Sequence, residues 1–472
     1  MSNGERLGLG LGGAGILLAL VLLPSAVFYG DGWGLVESLA RRELVLPHPG
    51  YVTAGALVGI PTGARPEIAL RLVSALGGAL LVAGTFAGLR GLGFPRGPAA
   101  FGALLVALAP ATLFFSRHVE VHALHAGCAA VAFAAFANAS RGRPLAVASL
   151  LVTHASGALS APFLLWIGAS RSPERERKTP WRPLLLGALL ALLFAAGLSG
   201  VQALFAPRAL THPGDWSPIH AALHLFSWLG GRGPDPWSAY PVQALLLPSG
   251  LLAIAGLVGL PLLLRRSPRL GAPLLAWTLA YVFFWAWNGF AERGGYLLPI
   301  YPALAAGAAE LALLLRAAAP AAAARGLAAS FLVAVVLAQG AFGAARGVLP
   351  SRGPDPFRWV EALREETGNE GSFATLDPAH ASLARRYASL QVVPLATIAL
   401  LRPEDRRPAL EAVAVEAVHQ AEGGRGVYLD GDMPGEFAAH PEFAGFLERV
   451  RERAQLREAS RPPLRLWQVL PR

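Results

Sequence analysis

The sequence predicts an α-helical membrane protein with many spans, followed by a small α/β domain. The chain has 472 residues, of which 54% are hydrophobic and only 15% charged, a composition outside the range of ordinary soluble proteins. Long apolar runs follow one another as far as residue 348. After Pro350 charged residues become frequent and no run could span a bilayer. We therefore expect a membrane domain at 1–348 and an external soluble α/β domain at 349–472.

The apolar runs predict the membrane segments in order. They lie at 7–28, 67–90, 98–116, 119–139, 144–168, 183–206, 240–264, 271–290, 294–316 and 325–346. The net charge is +10, almost all of it from arginine. Since the arginines lie mainly in short loops between the runs, they fit the positive-inside rule of membrane topology and not a nucleic-acid partner.

The run at 144–168 conflicts with that rule if it forms one helix. Arg143 precedes it and the very basic stretch "RSPERERKTPWR" at 171–182 follows it, so one span would place them on opposite sides. A hairpin of two short helices, with its apex at "THASG" (153–157), keeps both on the cytoplasmic side. Irregular backbone at that depth is tolerated only where it lines a cavity. This gives about 11 membrane segments, a cytoplasmic N-terminus and an external C-terminal domain.

The C-terminal region alternates between the patterns of strands and helices. Strands are expected at 371–378, 390–395, 424–432 and 464–470, and helices at 355–367, 404–421 and 441–457. The alternation is typical of a small α/β domain.

The loop after the first span carries several polar residues, in "AVFYGDGWGLVESLARRELVLPHPGYVTAGAL". Asp31 or Glu37 could act as a general base, or both could be solvated acids with Asp31 capping a helix. His48 stands between two prolines and is followed by Gly50 and Tyr51, which indicates a rigid loop. That loop either contributes to a site or merely ends an interfacial helix.

Histidines accumulate at the start of the fourth span, in "SRHVEVHALHAG". We expect His118, His122 and His125 on one face of a helix, with Glu120 nearby. Three histidines could bind zinc, but a polar lining of an external cavity is the better interpretation. A divalent metal therefore stays an alternative, and no metal ligands are assigned.

Two further positions carry ionisable groups at the membrane. His154 lies at the expected hairpin apex, where an ionisable residue is a functional candidate. Arg293 opens the run "GFAERGGYLLPIYPALA" beside Tyr296. Its guanidinium could hold a phosphate, or it could anchor the helix at the interface.

Together these motifs resemble the GT-C superfamily of membrane glycosyltransferases, in its protein O-mannosyltransferase-like branch. In that branch an acid is followed by a His-Pro-Pro-Gly-Tyr-Pro loop, and here Asp31 is followed by "HPGY" at 48–51. A Glu-Val-Tyr-Ala-Leu-His element corresponds to "EVHALH" at 120–125, where His122 replaces the tyrosine. A Tyr-Leu-Leu-Pro element corresponds to "YLLP" at 296–299. The resemblance covers roughly 7–316.

The resemblance implies a polyprenyl-phosphate-linked sugar as donor and an external hydroxyl as acceptor. It implies a general-base role for Asp31. The branch's second acid falls at Gly34 here, so Glu37 is the candidate that replaces it as a catalytic residue. Residues that would bind donor or acceptor are His48, Tyr51, Glu120, His122, His154, Arg293 and Tyr296. The implied location is the inner membrane of a bacterial-type cell.

A polytopic transporter or lipid flippase is the alternative. Such proteins show internal repeats and charged residues near the midplane of several spans. Neither is evident here, since the ionisable groups gather at one expected external face.

Overall fold

The computed structural model describes most of the chain in two compact units, residues 1–352 and 353–472. The described residues are 3–23, 32–41, 48–154, 156–171, 181–205, 245–288, 293–319, 321–348, 356–395, 398, 403–431, 445–459 and 464–472. The units are described separately below.

Unit 1 is built from helices. They are α1 (Asn3–Leu22), α2 (Gly32–Arg41), α3 (Pro49–Thr62), α4 (Pro66–Gly91), α5 (Arg96–Ala107), α6 (Pro110–Phe115), α7 (Val121–Ala137), α8 (Arg143–Thr153), α9 (Gly157–Arg171), α10 (Arg182–Phe205), α11 (Leu251–Arg266), α12 (Pro268–Asn288), α13 (Arg293–Leu297), α14 (Tyr301–Ala317) and α15 (Ala322–Gly343). Within the described residues, three stretches are long and apolar enough to cross a membrane: Pro66–Gly91, Gly294–Ala317 and Ala322–Val348.

Helices α4 and α7 form the centre of unit 1 and run side by side in the same direction. Gly77 of α4 meets the backbone at Leu124, and Gly84, two turns further along, meets the backbone at Ala130. Small residues let two helix backbones approach closely, which is how helices associate without a hydrophobic driving force in lipid. The Ala- and Gly-rich composition of these segments therefore has a structural role.

Two of the expected spans begin or break at places that the apolar runs do not reveal. The run at 98–116 divides into α5 and α6, because Ala109 is extended (φ −66°, ψ 137°) before Pro110. The expected helix from 119 begins only at Val121, after an extended Glu120. His118 therefore lies in the turn before α7, and the prediction of three histidines on one helix face is wrong for that residue.

Residues 143–171 fold as two short helices that turn back near His154. Arg143 at the start of α8 lies over the ring of Phe136, with its guanidinium carbon 5.7 Å from the ring centroid. Gly168 near the end of α9 packs against the same ring. Ser156, between the two helices, instead bonds to His125 near the opposite end of α7. Both outer ends of the pair thus lie at one end of α7 and the apex lies at the other.

Several arginine-bearing segments of unit 1 meet at the end that holds Phe136. Arg171 donates to the carbonyl of Gly91 at 2.7 Å, and Ser170 donates to the carbonyl of Arg269 at 3.2 Å. Arg316 reaches Gly97 at the start of α5. We call this the arginine end of unit 1 and the opposite end, at His125, the histidine end.

Unit 2 contains a five-stranded mixed sheet in the order β2-β1-β3-β5-β4. The strands are β1 (Ser372–Thr375), β2 (Gln391–Pro394), β3 (Val427–Asp430), β4 (Gln455–Glu458) and β5 (Leu466–Leu470). The helices are α16 (Pro356–Thr367), α17 (Pro378–Tyr387), α18 (Pro403–Glu422) and α19 (Phe446–Arg451). β1 is parallel to both β2 and β3, whereas β5 is antiparallel to β3 and β4.

The expected helix at 441–457 is wrong over its second half. Helix α19 ends at Arg451, and "QLRE" at 455–458 forms the edge strand β4. An edge strand that is largely exposed has no apolar alternation, so the usual signal for a strand is missing. Helix α17 had no counterpart among the predicted elements.

Candidate functional site

Four histidines meet at the histidine end of unit 1. The ring of His154 at the hairpin apex stacks on His48, with centroids 5.1 Å apart and planes inclined by 21°. It lies 5.1 Å from His125 and 6.4 Å from His122, which are one turn apart on α7. The cluster therefore joins the loop before α3, the start of α7 and the turn between α8 and α9.

Ser156 connects two of these histidines through hydrogen bonds. Its backbone N–H donates to His154 Nδ1 at 3.1 Å, so a neutral His154 carries its proton on Nε2. The Ser156 hydroxyl lies 2.7 Å from the same Nδ1 and 3.2 Å from His125 Nε2. One arrangement satisfies both contacts: His125 Nε2–H donates to Ser156 Oγ, whose hydroxyl donates to His154 Nδ1. The apex thus holds both rings in fixed orientations.

The surroundings of His48 lower the pKa of its imidazole. Burial, and then the nearby His122, lower the pKa of His48 to about 3. At neutral pH its imidazole can therefore both donate and accept a hydrogen bond.

Glu120 lies at the same end, as the N-cap of α7. Its carboxylate accepts the N–H of Val121 at 2.9 Å and lies 4.0 Å from His122 Nε2. The side chain is almost fully buried. A buried carboxylate is costly unless it is hydrogen-bonded, and the N–H of Val121 provides one such bond.

Tyr296 closes the cluster from α13. Its ring meets the ring of His122 edge-on, with centroids 4.4 Å apart, and that of His154 at 5.9 Å. The neighbouring Gly295 lies so close that any side chain there would overlap the His122 ring. Glycine at 295 is therefore what lets α13 approach the start of α7.

Tyr51 and His118 both make hydrogen bonds within unit 1. The Tyr51 hydroxyl donates to the carbonyl of Leu70 at 3.0 Å, lies 2.8 Å from Ser74 Oγ and is fully buried, so it fastens α3 to α4. His118 stacks on Phe114 and bonds to its carbonyl at 2.6 Å.

The structure adds Ser156 and Tyr281 to the predicted residues. The Tyr281 hydroxyl donates to the carbonyl of Ser156 at 3.1 Å and lies 2.8 Å from Ser160 Oγ. Ser156 lies within the expected apex "THASG". Apart from Thr153 it is the only residue of that stretch with a hydroxyl group, and this is the signal that could have identified it. Tyr281 lies in an uninterrupted apolar run, and no local pattern marks it.

The described residues contain no group of three or more His, Cys, Asp or Glu side chains that could hold a metal ion. The histidine rings stack and bond through Ser156 instead of converging on a common point.

The proposed catalytic acids belong to a region that is described only in part. Glu37 is half-buried on α2, whose first residue, Gly32, packs against the carbonyl of Val119, next to Glu120. Asp31 lies outside the described residues. Arg293 begins α13, but its side chain is also outside the part described.

Comparisons with known proteins find similarity in structure. No family model and no curated protein matches the chain. ArnT from Cupriavidus metallidurans, solved bound to undecaprenyl phosphate, is similar with a TM-score of 0.63 and 14% identity, over 99% of this chain and 98% of that one. Its apo structure gives the same TM-score over 98% of each chain.

A second protein shares the fold over part of its length. The arabinofuranosyltransferase AftD from Mycobacteria is similar with a TM-score of 0.52 and 16% identity, over 99% of this chain and 40% of that one. At such identities the similarity shows a shared fold.

Proposed function

We propose that this chain is a membrane glycosyltransferase that moves a sugar from a polyprenyl-phosphate donor to a hydroxyl acceptor on the external side. The observation that carries the proposal is the meeting of separate sequence motifs at one end of the fold. His48, Glu120, His122, His154 and Tyr296 come from four stretches of the sequence and form one cluster.

The fold supports the lipid-linked donor. AftD is an arabinofuranosyltransferase, and ArnT was solved with undecaprenyl phosphate. An apolar helical bundle with a polar cluster at one end suits a donor whose tail is apolar and whose sugar phosphate is polar. We extend the assignment to the O-mannosyltransferase-like branch on the "HPGY", "EVHALH" and "YLLP" motifs, each of which contributes to the cluster.

In the proposed reaction the acceptor hydroxyl oxygen attacks the anomeric carbon of the donor sugar. Asp31 takes the hydroxyl proton as general base, and Glu37 assists from the same loop. The bond from the anomeric carbon to the phosphate oxygen breaks, and the polyprenyl phosphate leaves with the electron pair. Arg293 stabilises the charge that develops on the leaving phosphate.

The position of α2 agrees with a role for Asp31. Asp31 precedes Gly32 in the chain, and Gly32 lies against the residue before Glu120. His48, His122, His154 and Tyr296 would then contact the donor sugar or the acceptor. Tyr51 would act indirectly, since Ser74, which it contacts, also donates to the carbonyl of Glu120 at 3.1 Å.

The arginine end supports the proposed orientation in the membrane. Basic loops favour the cytoplasmic side, and the arginines of several segments lie together at that end. The histidine end then faces outward, as does the proposed soluble domain at 349–472, and the N-terminus is cytoplasmic.

Reconstitution into vesicles distinguishes this proposal from a transporter or flippase. Purified protein is given radiolabelled polyprenyl-phosphate sugars together with a panel of hydroxyl acceptors. We expect label to move onto an acceptor and free polyprenyl phosphate to appear in equal amount. Label that crosses the membrane on an intact lipid would instead indicate a flippase and contradict the proposal.

A further inference from the structure

A second feature lies at the arginine end of unit 1, far from the histidine cluster. A groove of about 520 Å³ runs between α5, α14 and α15. Its walls are apolar, and many of the lining side chains are small, including Gly97 and Ala100 of α5, Ala312 of α14 and Ala329 of α15. Small side chains on three facing helices leave a gap that the protein itself does not fill.

Helix α15 stands on the outside of the bundle. Only 11% of its candidate membrane window is buried, compared with 83% for the window of Gly294–Ala317. In a bilayer its outer face is covered by lipid chains. The groove is therefore open to lipid along one side.

Two arginines mark one end of the groove. Arg316 lies in the last turn of α14 and Arg325 near the start of α15, and both line it. In the part of the chain that the structure describes, neither guanidinium pairs with an acidic side chain. By contrast Arg266, at the same end of the bundle, pairs with buried Glu310 at 2.6 Å.

The position of Arg325 favours an anion from outside the chain. The N-terminal end of a helix carries a partial positive charge, so a cation in this region is unfavourable unless an anion compensates it. A phosphate between Arg316 and Arg325 would compensate the helix end and both guanidinium groups. Arginine is well suited to this, since its planar fork can bind two phosphate oxygens at once.

The length of the groove matches one lipid chain. Its lining on α15 extends from Arg325 to Leu337, which is about 18 Å at a helical rise of about 1.5 Å per residue. One leaflet contributes about 15 Å of hydrocarbon. A lipid with its phosphate at the arginines would therefore place an acyl chain along the groove as far as the bilayer midplane.

We propose that this groove is a binding site for an anionic phospholipid of the leaflet at the arginine end. The phosphate lies between Arg316 and Arg325, and one acyl chain lies along α5 and α15. Basic pockets between membrane helices are a known mode of anionic lipid recognition. The site lies at the opposite end of unit 1 from the proposed transfer reaction and does not depend on it.

Native mass spectrometry of the purified full chain tests the site. The protein is titrated in detergent with phosphatidylglycerol and, separately, with phosphatidylcholine of the same chain length. We expect retention of phosphatidylglycerol, and a loss of roughly 30-fold in its affinity in the double variant Arg316→Gln/Arg325→Gln, from about 1 kcal/mol for each arginine. Inorganic phosphate at equal concentration should not displace the lipid.

The matched control is Arg182→Gln/Arg265→Gln, which removes two exposed arginines at the same end outside the groove. It should keep wild-type affinity. Ala329→Phe should fill the groove and weaken binding by at least tenfold with both arginines in place. Equal binding of phosphatidylcholine, an equal loss in the control pair, or full affinity in Ala329→Phe would overturn the proposal. If the double variant fails to fold, two other measurements test the proposal: the affinity of Ala329→Phe for phosphatidylglycerol, and the binding of phosphatidylglycerol compared with phosphatidylcholine by the wild-type protein.

Discussion

The two ends of unit 1 hold their ionisable groups in opposite ways. At the histidine end most of them are buried and lie close together, as in the stack of half-buried His48 on His154 and the 4.0 Å approach of Glu120 to His122. At the arginine end many are exposed, and Arg316 and Arg325 have no acidic partner among the described residues.

The difference shows which charges are expensive to keep. Exposed arginines cost little and orient the helices in a membrane. Buried polar groups carry a desolvation penalty, so a cluster of them needs compensating contacts. The hydroxyls of Ser156 and Thr153 lie 3.2 and 3.4 Å from the two ring nitrogens of His125, and Glu120 caps α7. These contacts make the histidine end the better candidate for chemistry.

The largest contrast is expected in labelling from the two sides of the membrane. Ala155→Cys and Arg175→Cys, each in a Cys128→Ala background, probe the hairpin apex and the basic loop. We expect the cysteine at 155 to react only from outside and that at 175 only from the cytoplasm, since α8 and α9 turn back near His154. Reaction of both sites from one side alone would contradict the hairpin orientation.

Next in size is the effect of removing the proposed phosphate contact. Arg293→Ala should lower donor use by about 10²-fold, because the leaving phosphate loses a fixed cation. Arg293→Lys should restore only part of the rate, since a point charge replaces a fork.

The matched control for Arg293 lies at the other end. Arg182→Ala should leave donor use unchanged, and the comparison is made from KM and kcat with labelled donor. Full donor affinity in both Arg293 variants would show that this arginine is only an interface anchor.

A smaller effect is expected at the apex. Ser156→Ala removes the hydroxyl between His125 and His154 and should lower kcat by about tenfold, with a shift in its pH profile. Ser149→Ala is the control and should keep the wild-type kcat, since its hydroxyl donates to backbone carbonyls of α8 itself. A fall in thermal stability without any change in the pH profile would make Ser156 purely structural.

The smallest effect is expected at Tyr51. Tyr51→Phe loses the hydrogen bonds to Leu70 and Ser74 and should cost about 1 kcal/mol of stability. Thermal unfolding in detergent measures it. A drop in kcat of more than tenfold at unchanged Tm would instead place Tyr51 in contact with substrate.

Apolar length predicted most helices of unit 1, and charge placement predicted a turn that apolar length could not show. The arginines on either side of 144–168 required a turn, and the chain turns back between α8, which ends at Thr153, and α9, which begins at Gly157. From its apolar length, the run at 98–116 was predicted as one span, although it contains both α5 and α6. The break between them depends on a single proline, Pro110. It also could not reveal β4, whose side chains are mostly exposed and lack an alternating pattern.

At the candidate site the sequence predicted which residues belong to one cluster. It was less reliable in predicting the hydrogen-bond partner of each side chain. Helical spacing brought His122 and His125 together, but His118 falls in a turn before the helix begins. Tyr51 and His48 belong to the same short motif, "HPGY". His48 joins the histidine cluster, whereas the Tyr51 hydroxyl forms its hydrogen bonds with Leu70 and Ser74 of α4. Tyr281 reaches Ser156 from 125 residues away, a tertiary contact that no local pattern encodes.

The most direct test of the account is the rate of sugar transfer by Asp31→Asn in vesicles, with purified protein and labelled polyprenyl-phosphate sugar. Asparagine keeps the size and can still cap a helix but cannot take the acceptor's proton. We predict that turnover falls by about 10²–10⁴-fold while donor binding and folding persist, and that Glu37→Gln loses much less. If both variants turn over at the wild-type rate, the first loop holds no catalytic base and the proposed mechanism is contradicted.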